Sequence, residues 1–159
     1  MIYLGKAVDK QLREGKEDNV TRDDQGPRAF ARAPGTVRVE RVDFINVPTR
    51  DYQRSIAFYR DVLELPQDPQ DPTEFETGNV TLALFDPTEV GLEFASNGPA
   101  QIALRVEDVD TARSALEAKG VRFDGAKDTG VCHMAFFNDP DGNSLMLHHR
   151  YAPRERQPQ

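Results

Sequence analysis

Apolar residues between Val37 and Val47 recur close to every second position, which predicts a strand that Pro48 ends. Asp51 then offers a helix N-cap. Ile56, Phe58, Tyr59, Val62 and Leu63 follow at helical spacing on one face, and Pro66 stops that helix. Asp68 to Pro72 reads as a rigid turn region. Thr73 to Thr77 predicts a short strand, Gly78-Asn79 a tight turn, and Val80 to Phe85 another strand. Asp86-Pro87 breaks the pattern, and Thr88 to Pro99 is expected as a loop with Leu92 and Phe94 touching the core.

The same order then returns. Gln101 to Val106 predicts a strand. Asp108 caps a helix whose buried stripe is Val109, Ala112, Ala115 and Leu116, and Gly120 stops it. Val121 to Phe123 is a short strand and Asp124 to Asp128 a loop. Val131 to Phe137 and Ser144 to His149 are two arms of a hairpin. Each half is thus a strand, a capped helix and three short strands, with Gly-Asn at the last turn (Gly78-Asn79 and Gly142-Asn143). One βαβββ unit written twice predicts an α+β domain of two modules sharing one core.

The hairpin at Asn138-Asp139-Pro140-Asp141-Gly142-Asn143 has its own chemistry. Pro140 presets a turn angle, Asp139 can accept from the backbone ahead of it, and Gly142 can adopt a left-handed conformation. Closure at Asp139 and Asn143 places Phe136 opposite Met146, Met134 opposite His148 and His133 opposite His149.

The flanks differ from this body. Residues 1–35 are charge-rich and aperiodic, with a breaker cluster at Asp23-Asp24-Gln25-Gly26-Pro27. They are expected to be an extension or arm, with a weak helix over Ile2 to Leu12. The repeated domain is expected over 36–152 and a polar tail over 153–159. The chain of 159 residues has 38% hydrophobic and 30% charged residues, which supports one domain with a real core. Its formal net charge of -7 leaves no general basic field for nucleic acid. Apolar runs are too short for a bilayer, and the N-terminus lacks the signal-peptide pattern. The single Cys132 cannot form an internal disulfide and is expected as a small buried hydrophobe in a reduced, cytoplasmic protein.

Asp51-Tyr52-Gln53-Arg54-Ser55-Ile56-Ala57-Phe58-Tyr59-Arg60-Asp61-Val62-Leu63 resembles the first helix of the vicinal oxygen chelate superfamily. Phe137 to Asn143 resembles its last hairpin. That superfamily includes glyoxalase I, bleomycin-resistance proteins and extradiol dioxygenases. The likeness runs from about Val37 to Arg150. It implies two βαβββ modules in a curved, mixed, eight-stranded sheet, with helices on the convex face and a cup on the concave one. It also implies His or Gln on the first strand and Glu on the last strand of each module, holding a divalent metal.

The corresponding residues here are Phe44, Gln101, Leu82 or Ala83, and Met146. Only Gln101 could coordinate, so no family metal site and no cofactor are expected. An improvised site from Cys132, His133, His148 and His149 lacks a joining carboxylate, and its members face opposite sides. Strand alternation instead puts Phe44, Met134, Phe136 and Met146 on the cup face as apolar wall. Asn46, Gln101, Arg105 and His148 are the polar groups among them. The resemblance therefore implies a metal-free small-molecule-binding protein like the bleomycin-resistance proteins, working as a homodimer, with no nucleic-acid or membrane partner. The alternative is a glyoxalase- or dioxygenase-like enzyme (lyase, isomerase or oxygenase) using other metal ligands, or His148 as a base.

Overall fold

The computed structural model describes residues 39–153, and those from Val42 onward form one compact unit. The expected extension over 1–35 and most of the expected tail lie outside the described residues. β1 (Phe44–Pro48) runs parallel to β3 (Thr81–Phe85), and β2 (Glu74–Glu76) pairs antiparallel with β3 on its other side. In the second module β4 (Ile102–Arg105) runs parallel to β7 (Ser144–Arg150). β6 (Cys132–Asn138) and β5 (Phe123–Asp128) continue that sheet antiparallel, in the order β4-β7-β6-β5. In both modules the first strand lies beside the last, so the written repeat is also a structural one.

The α+β class holds, but the described residues form seven strands in sheets of three and four rather than one eight-stranded sheet. The strand wanting from module one is reduced to an isolated bridge from Gln67 to Phe75. Asp68 N–H still donates to Glu74 O at 2.9 Å and Glu76 N–H to Pro66 O at 2.8 Å. Pro66, Pro69 and Pro72 supply no N–H, so a longer ladder cannot form there. β1 begins at Phe44, later than Val37. β5 occupies the span expected as a loop: its Asp-Gly-Ala-Lys-Asp composition reads as a turn, yet β6 supplies a ladder for it, with a bulge at Phe123/Gly125.

α1 (Tyr52–Ala57) starts as the sequence predicts, with Asp51 Oδ1 accepting from Arg54 N at 3.1 Å. It then widens into a π-helical turn (Phe58–Val62), closed by Leu63 N–H donating to Phe58 O at 3.0 Å. Glu64 follows in a left-handed conformation, and Lys119 Nζ donates to the carbonyls of Asp61 (3.2 Å) and Val62 (3.0 Å). α2 (Val109–Ala118) is capped by Asp108, whose Oδ1 accepts from Thr111 N at 2.7 Å. It ends where Val121 N–H reaches back to Leu116 O across the left-handed Gly120. Val109 and Leu116 are buried, Ala112 is half-buried and Ala115 is exposed, so the stripe is narrower than expected. Leu92 is 60% exposed rather than in the core, while Phe94 is half-buried beneath the Arg50 guanidinium.

Val47, Ile56, Tyr59, Phe75, Leu82 and Leu84 of the first module share a single core with Val109, Leu116, Ala135, Phe137, Leu145 and Leu147 of the second. The closing hairpin locks the two modules together with buried polar groups. Asp139 Oδ1 accepts from the N–H groups of Asp141 and Asn143, and its Oδ2 from Tyr59 Oη at 3.0 Å. Asn143 Nδ2 donates to Asp139 Oδ2 and to Pro48 O, both at 2.7 Å. Asp141 Oδ2 accepts from Thr49 Oγ1 (2.8 Å) and Ser55 Oγ (2.9 Å), and Oδ1 from Arg54 Nη2 (2.6 Å). Thr49, Ser55, Asp139, Asp141 and Asn143 are all buried. Buried carboxylates are tolerable because nearly every lone pair is met.

Candidate ligand-binding face

Helices cover one face of each sheet. Along β6 and β7 the residues packed toward α2 are Ala135, Phe137, Leu145 and Leu147, all buried. Their neighbours Met134, Phe136, Met146 and His148 face the other way and are only partly buried. Along β1, Val47 is buried and Phe44 and Asn46 are exposed, Phe44 by 58%. Six of the eight residues expected at the cup, Phe44, Asn46, Met134, Phe136, Met146 and His148, therefore alternate with the residues packed in the core.

The ladders bring five of the eight together. Phe136 pairs with Met146, Met146 with Ala103, Met134 with His148, and His148 with Arg105. The hairpin register is the one the sequence predicts. Gln101 stands exposed just before β4, and Ala103 and Arg105 are exposed in step with it. Phe44 and Asn46 pair with Thr81 and Ala83 in the other sheet, and no ladder joins them to the rest. That sheet's open face also carries Glu74, paired with Ala83. Burial pushes its carboxyl above the ordinary value, helped by the charges of Asp71, Asp68 and Glu76.

The other titratable clusters lie at the margins. His133 pairs with His149 in the ladder, but its Nε2 meets Asp128 Oδ2 at 3.2 Å and its ring packs 4.8 Å from that of Tyr151. Asp128 is held below its ordinary value first by the Gly130 N–H, then by the Tyr151 hydroxyl, which donates at 2.8 Å. His149 Nδ1 lies 3.0 Å from Val106 O. Cys132 is buried, with Arg150 Nη1 3.8 Å from its sulfur. Two shallow hollows are present, and neither is lined by Phe136, Met146 or His148. One of about 240 Å³ sits by Val109, Asp110, Ala126, Lys127, His133 and Met134, and one of about 250 Å³ by Phe58, Val62, Lys119 and Pro140.

The family's metal does not fit these residues. Phe44 and Met146 offer a ring and a weakly donating thioether, and Leu82 is buried in the core. No group of three or more His, Cys, Asp or Glu among the described residues is placed to hold a metal ion. No described helix is long and apolar enough to cross a membrane.

Two groups of residues escaped the sequence reading. Lys127, placed in a presumed loop, stands in β5 opposite Met134. Thr49, Ser55 and Tyr59 receive the hairpin carboxylates. Tyr59 was read only as part of the apolar face, and its four-residue spacing from Ser55 was the available signal.

Solved structures resemble this arrangement. TnmS3, an antibiotic binding protein from Streptomyces sp. CB03234, is 26% identical with a TM-score of 0.59, over 72% of this chain and 99% of that one. A glyoxalase/bleomycin resistance protein/dioxygenase from Nocardioides is 22% identical with a TM-score of 0.62, over 79% and 93%. Lactoylglutathione lyase from Agrobacterium tumefaciens is 22% identical with a TM-score of 0.60, over 70% and 94%. The last two likenesses concern the fold alone. None of the curated proteins matches the chain. The family model for the superfamily matches residues 41–147, which span both modules and the closing hairpin, and the chain belongs to the Glyoxalase/Bleomycin resistance protein/Dioxygenase superfamily.

Proposed function

We propose that this chain is a metal-free small-molecule-binding protein that captures an apolar or aromatic ligand on its open sheet face. The observation that carries the reading is the row of partly buried Phe136 and Met146 beside Met134 and His148, on the side opposite the packed core. Such side chains gain by being covered, at roughly 25 cal/mol per Å² of apolar surface removed from water. Thioethers adapt to an aromatic ligand, and sparse polar groups orient it. The likeness to an antibiotic binding protein supports the same class of activity. Capture would be stoichiometric, with no bond made or broken. Superfamily resemblance adds a homodimer in a cytoplasmic setting. The enzyme alternative draws no support from His148, whose ring has no hydrogen-bond partner among the described residues to orient it as a base.

The test uses native mass spectrometry of protein purified without chelator or added metal, and titration with the neutral fluorophore N-phenyl-1-naphthylamine. Saturable binding that weakens in Phe136→Ala, with no bound transition metal, is the expected result. A near-stoichiometric transition metal, or dye binding untouched by Phe136→Ala in a folded variant, overturns the reading. The same spectra report whether two copies associate.

A further inference from the structure

The ladder pairings place basic side chains in one row across the open face of the second sheet. Lys127 pairs with Met134, Met134 with His148, and His148 with Arg105. Paired residues share a face, so Lys127, His148 and Arg105 stand side by side around one thioether. At a strand spacing near 4.8 Å the row is about 14 Å long. Arg150 opens the next row, paired with Cys132. Two residues the other way along the strands runs the apolar row of Ala103, Met146, Phe136 and Gly125.

Lys127, Arg105 and Arg150 have no carboxylate partner among the described residues. No Asp or Glu occupies an open-face ladder position in the four strands. Asp124, in the bulge, is bonded by Asn138 Nδ2 at 2.8 Å at the far end of the sheet. Neither the Arg105 nor the Lys127 side chain forms an ion pair or hydrogen bond with another described residue. Arg150 donates from Nη2 to Pro153 O at 3.2 Å, while its Nε is buried without a hydrogen-bond partner among the described residues. An unsatisfied guanidinium N–H is costly unless something accepts from it. In a chain whose net charge is -7, an uncompensated basic row is the exception to the surface around it.

We propose that the ligand of this face is an amphipathic organic anion: an aromatic or apolar body carrying a carboxylate, sulfonate or phosphate. The inference rests on the open-face reading above and adds the charge of the ligand. The body lies over Phe136 and Met146, and the anion lies over the His148–Arg105 pair, within reach of the long Lys127 and Arg150 side chains.

Two fluorophores separate the inferences, because 1-anilinonaphthalene-8-sulfonate and N-phenyl-1-naphthylamine differ only in the sulfonate. The sulfonate should bind the intact chain more tightly than the neutral dye. Arg105→Gln and Lys127→Gln should each weaken the sulfonate about three- to tenfold; Lys127→Gln should leave the neutral dye unchanged, and Arg105→Gln should weaken the neutral dye less than the sulfonate. Raising the salt from 10 to 300 mM should weaken only the sulfonate. Met146→Ala should weaken both dyes, and circular dichroism confirms that each variant is folded. If the neutral dye binds as tightly as the sulfonate, or the two Gln variants leave the sulfonate unchanged, the anion inference is overturned while the open face survives. If neither dye binds, both fall.

Discussion

Asp141→Asn is the sharpest perturbation of this fold, because the substitution changes charge and almost nothing else. The Asp141 side chain is fully buried and receives three side-chain hydrogen bonds, from Thr49, Ser55 and Arg54. Asparagine keeps one acceptor oxygen and turns an NH2 group toward either the two hydroxyls or the guanidinium. If the oxygen faces the hydroxyls, their bonds fall from charge-assisted to neutral strength, and Arg54, already half-exposed, swings into water. The loss is then about 2–4 kcal/mol, most of it from the two hydroxyl bonds. For a chain of this size the thermal midpoint should drop by about 5–15 °C. Urea unfolding followed by circular dichroism measures the loss, and the slope against urea should not change.

The pH dependence gives a second reading of the same group. Burial alone would raise the Asp141 carboxyl, but the hydrogen bonds of Thr49, Ser55 and the Arg50 N–H, with the charge of Arg54, outweigh it and hold the group below 3.8. A depressed carboxyl contributes stability that is present above the unfolded value and lost as pH falls through the folded one. The gap between parent and Asp141→Asn should therefore be full at neutral pH and shrink below pH 3.8. A destabilisation under about 0.5 kcal/mol, or one equally large at neutral pH and at acid pH where both proteins remain folded, would refute the account of this carboxylate.

Tyr59→Phe should cost about 1–2 kcal/mol by removing a donor from buried Asp139, read by thermal unfolding. Burial, then the negative charge of Asp139, raises the Tyr59 hydroxyl well above 10.0, so folding favours its neutral form. That contribution holds below pH 10 and is lost above it, and phenolate absorbance should show one tyrosine ionising only as the chain unfolds. Gly142→Ala should cost about 1–2 kcal/mol from backbone strain alone. Its φ is +82° and a Cβ there would meet nothing within 4 Å, so chemical denaturation should show the loss with no change in spectrum. Leu82→Ala and Leu147→Ala, one in each module, should each cost about 2–5 kcal/mol and still give one cooperative transition. Two separate transitions in calorimetry would contradict a shared core.

The closing hairpin was legible to the residue, because Pro140, Gly142 and the alternation on both arms point to one register. The repeat was legible because Asp51 and Asp108 cap their helices in the same way. What escaped depended on partners distant in sequence. β5 has loop composition and becomes a strand only because β6 offers a ladder, so Lys127 was lost with it. The π-helical turn leaves no periodicity of its own over five residues. Leu92 was expected inside on residue type and Ala115 as part of the helical stripe, and a small or apolar side chain can lie outside at small cost. The open-face residues were placed by alternation, which fixes direction but not what stands beside them. Arg105, His148 and Lys127 form a row only once three strands are ordered β4-β7-β6 and β5 completes the sheet.

The proline-rich bridge at Gln67 has a further consequence for how copies of this chain behave in a crowded solution. A bare strand edge invites another chain to add to it. The outer edge of β2 is lined by a segment with three prolines, and that of β5 carries a bulge, Lys127 and two aspartates. Both outer edges are thus poor templates for aggregation. Extension of either sheet by a further strand is left to β1 and β4, the two short edges at which each module begins.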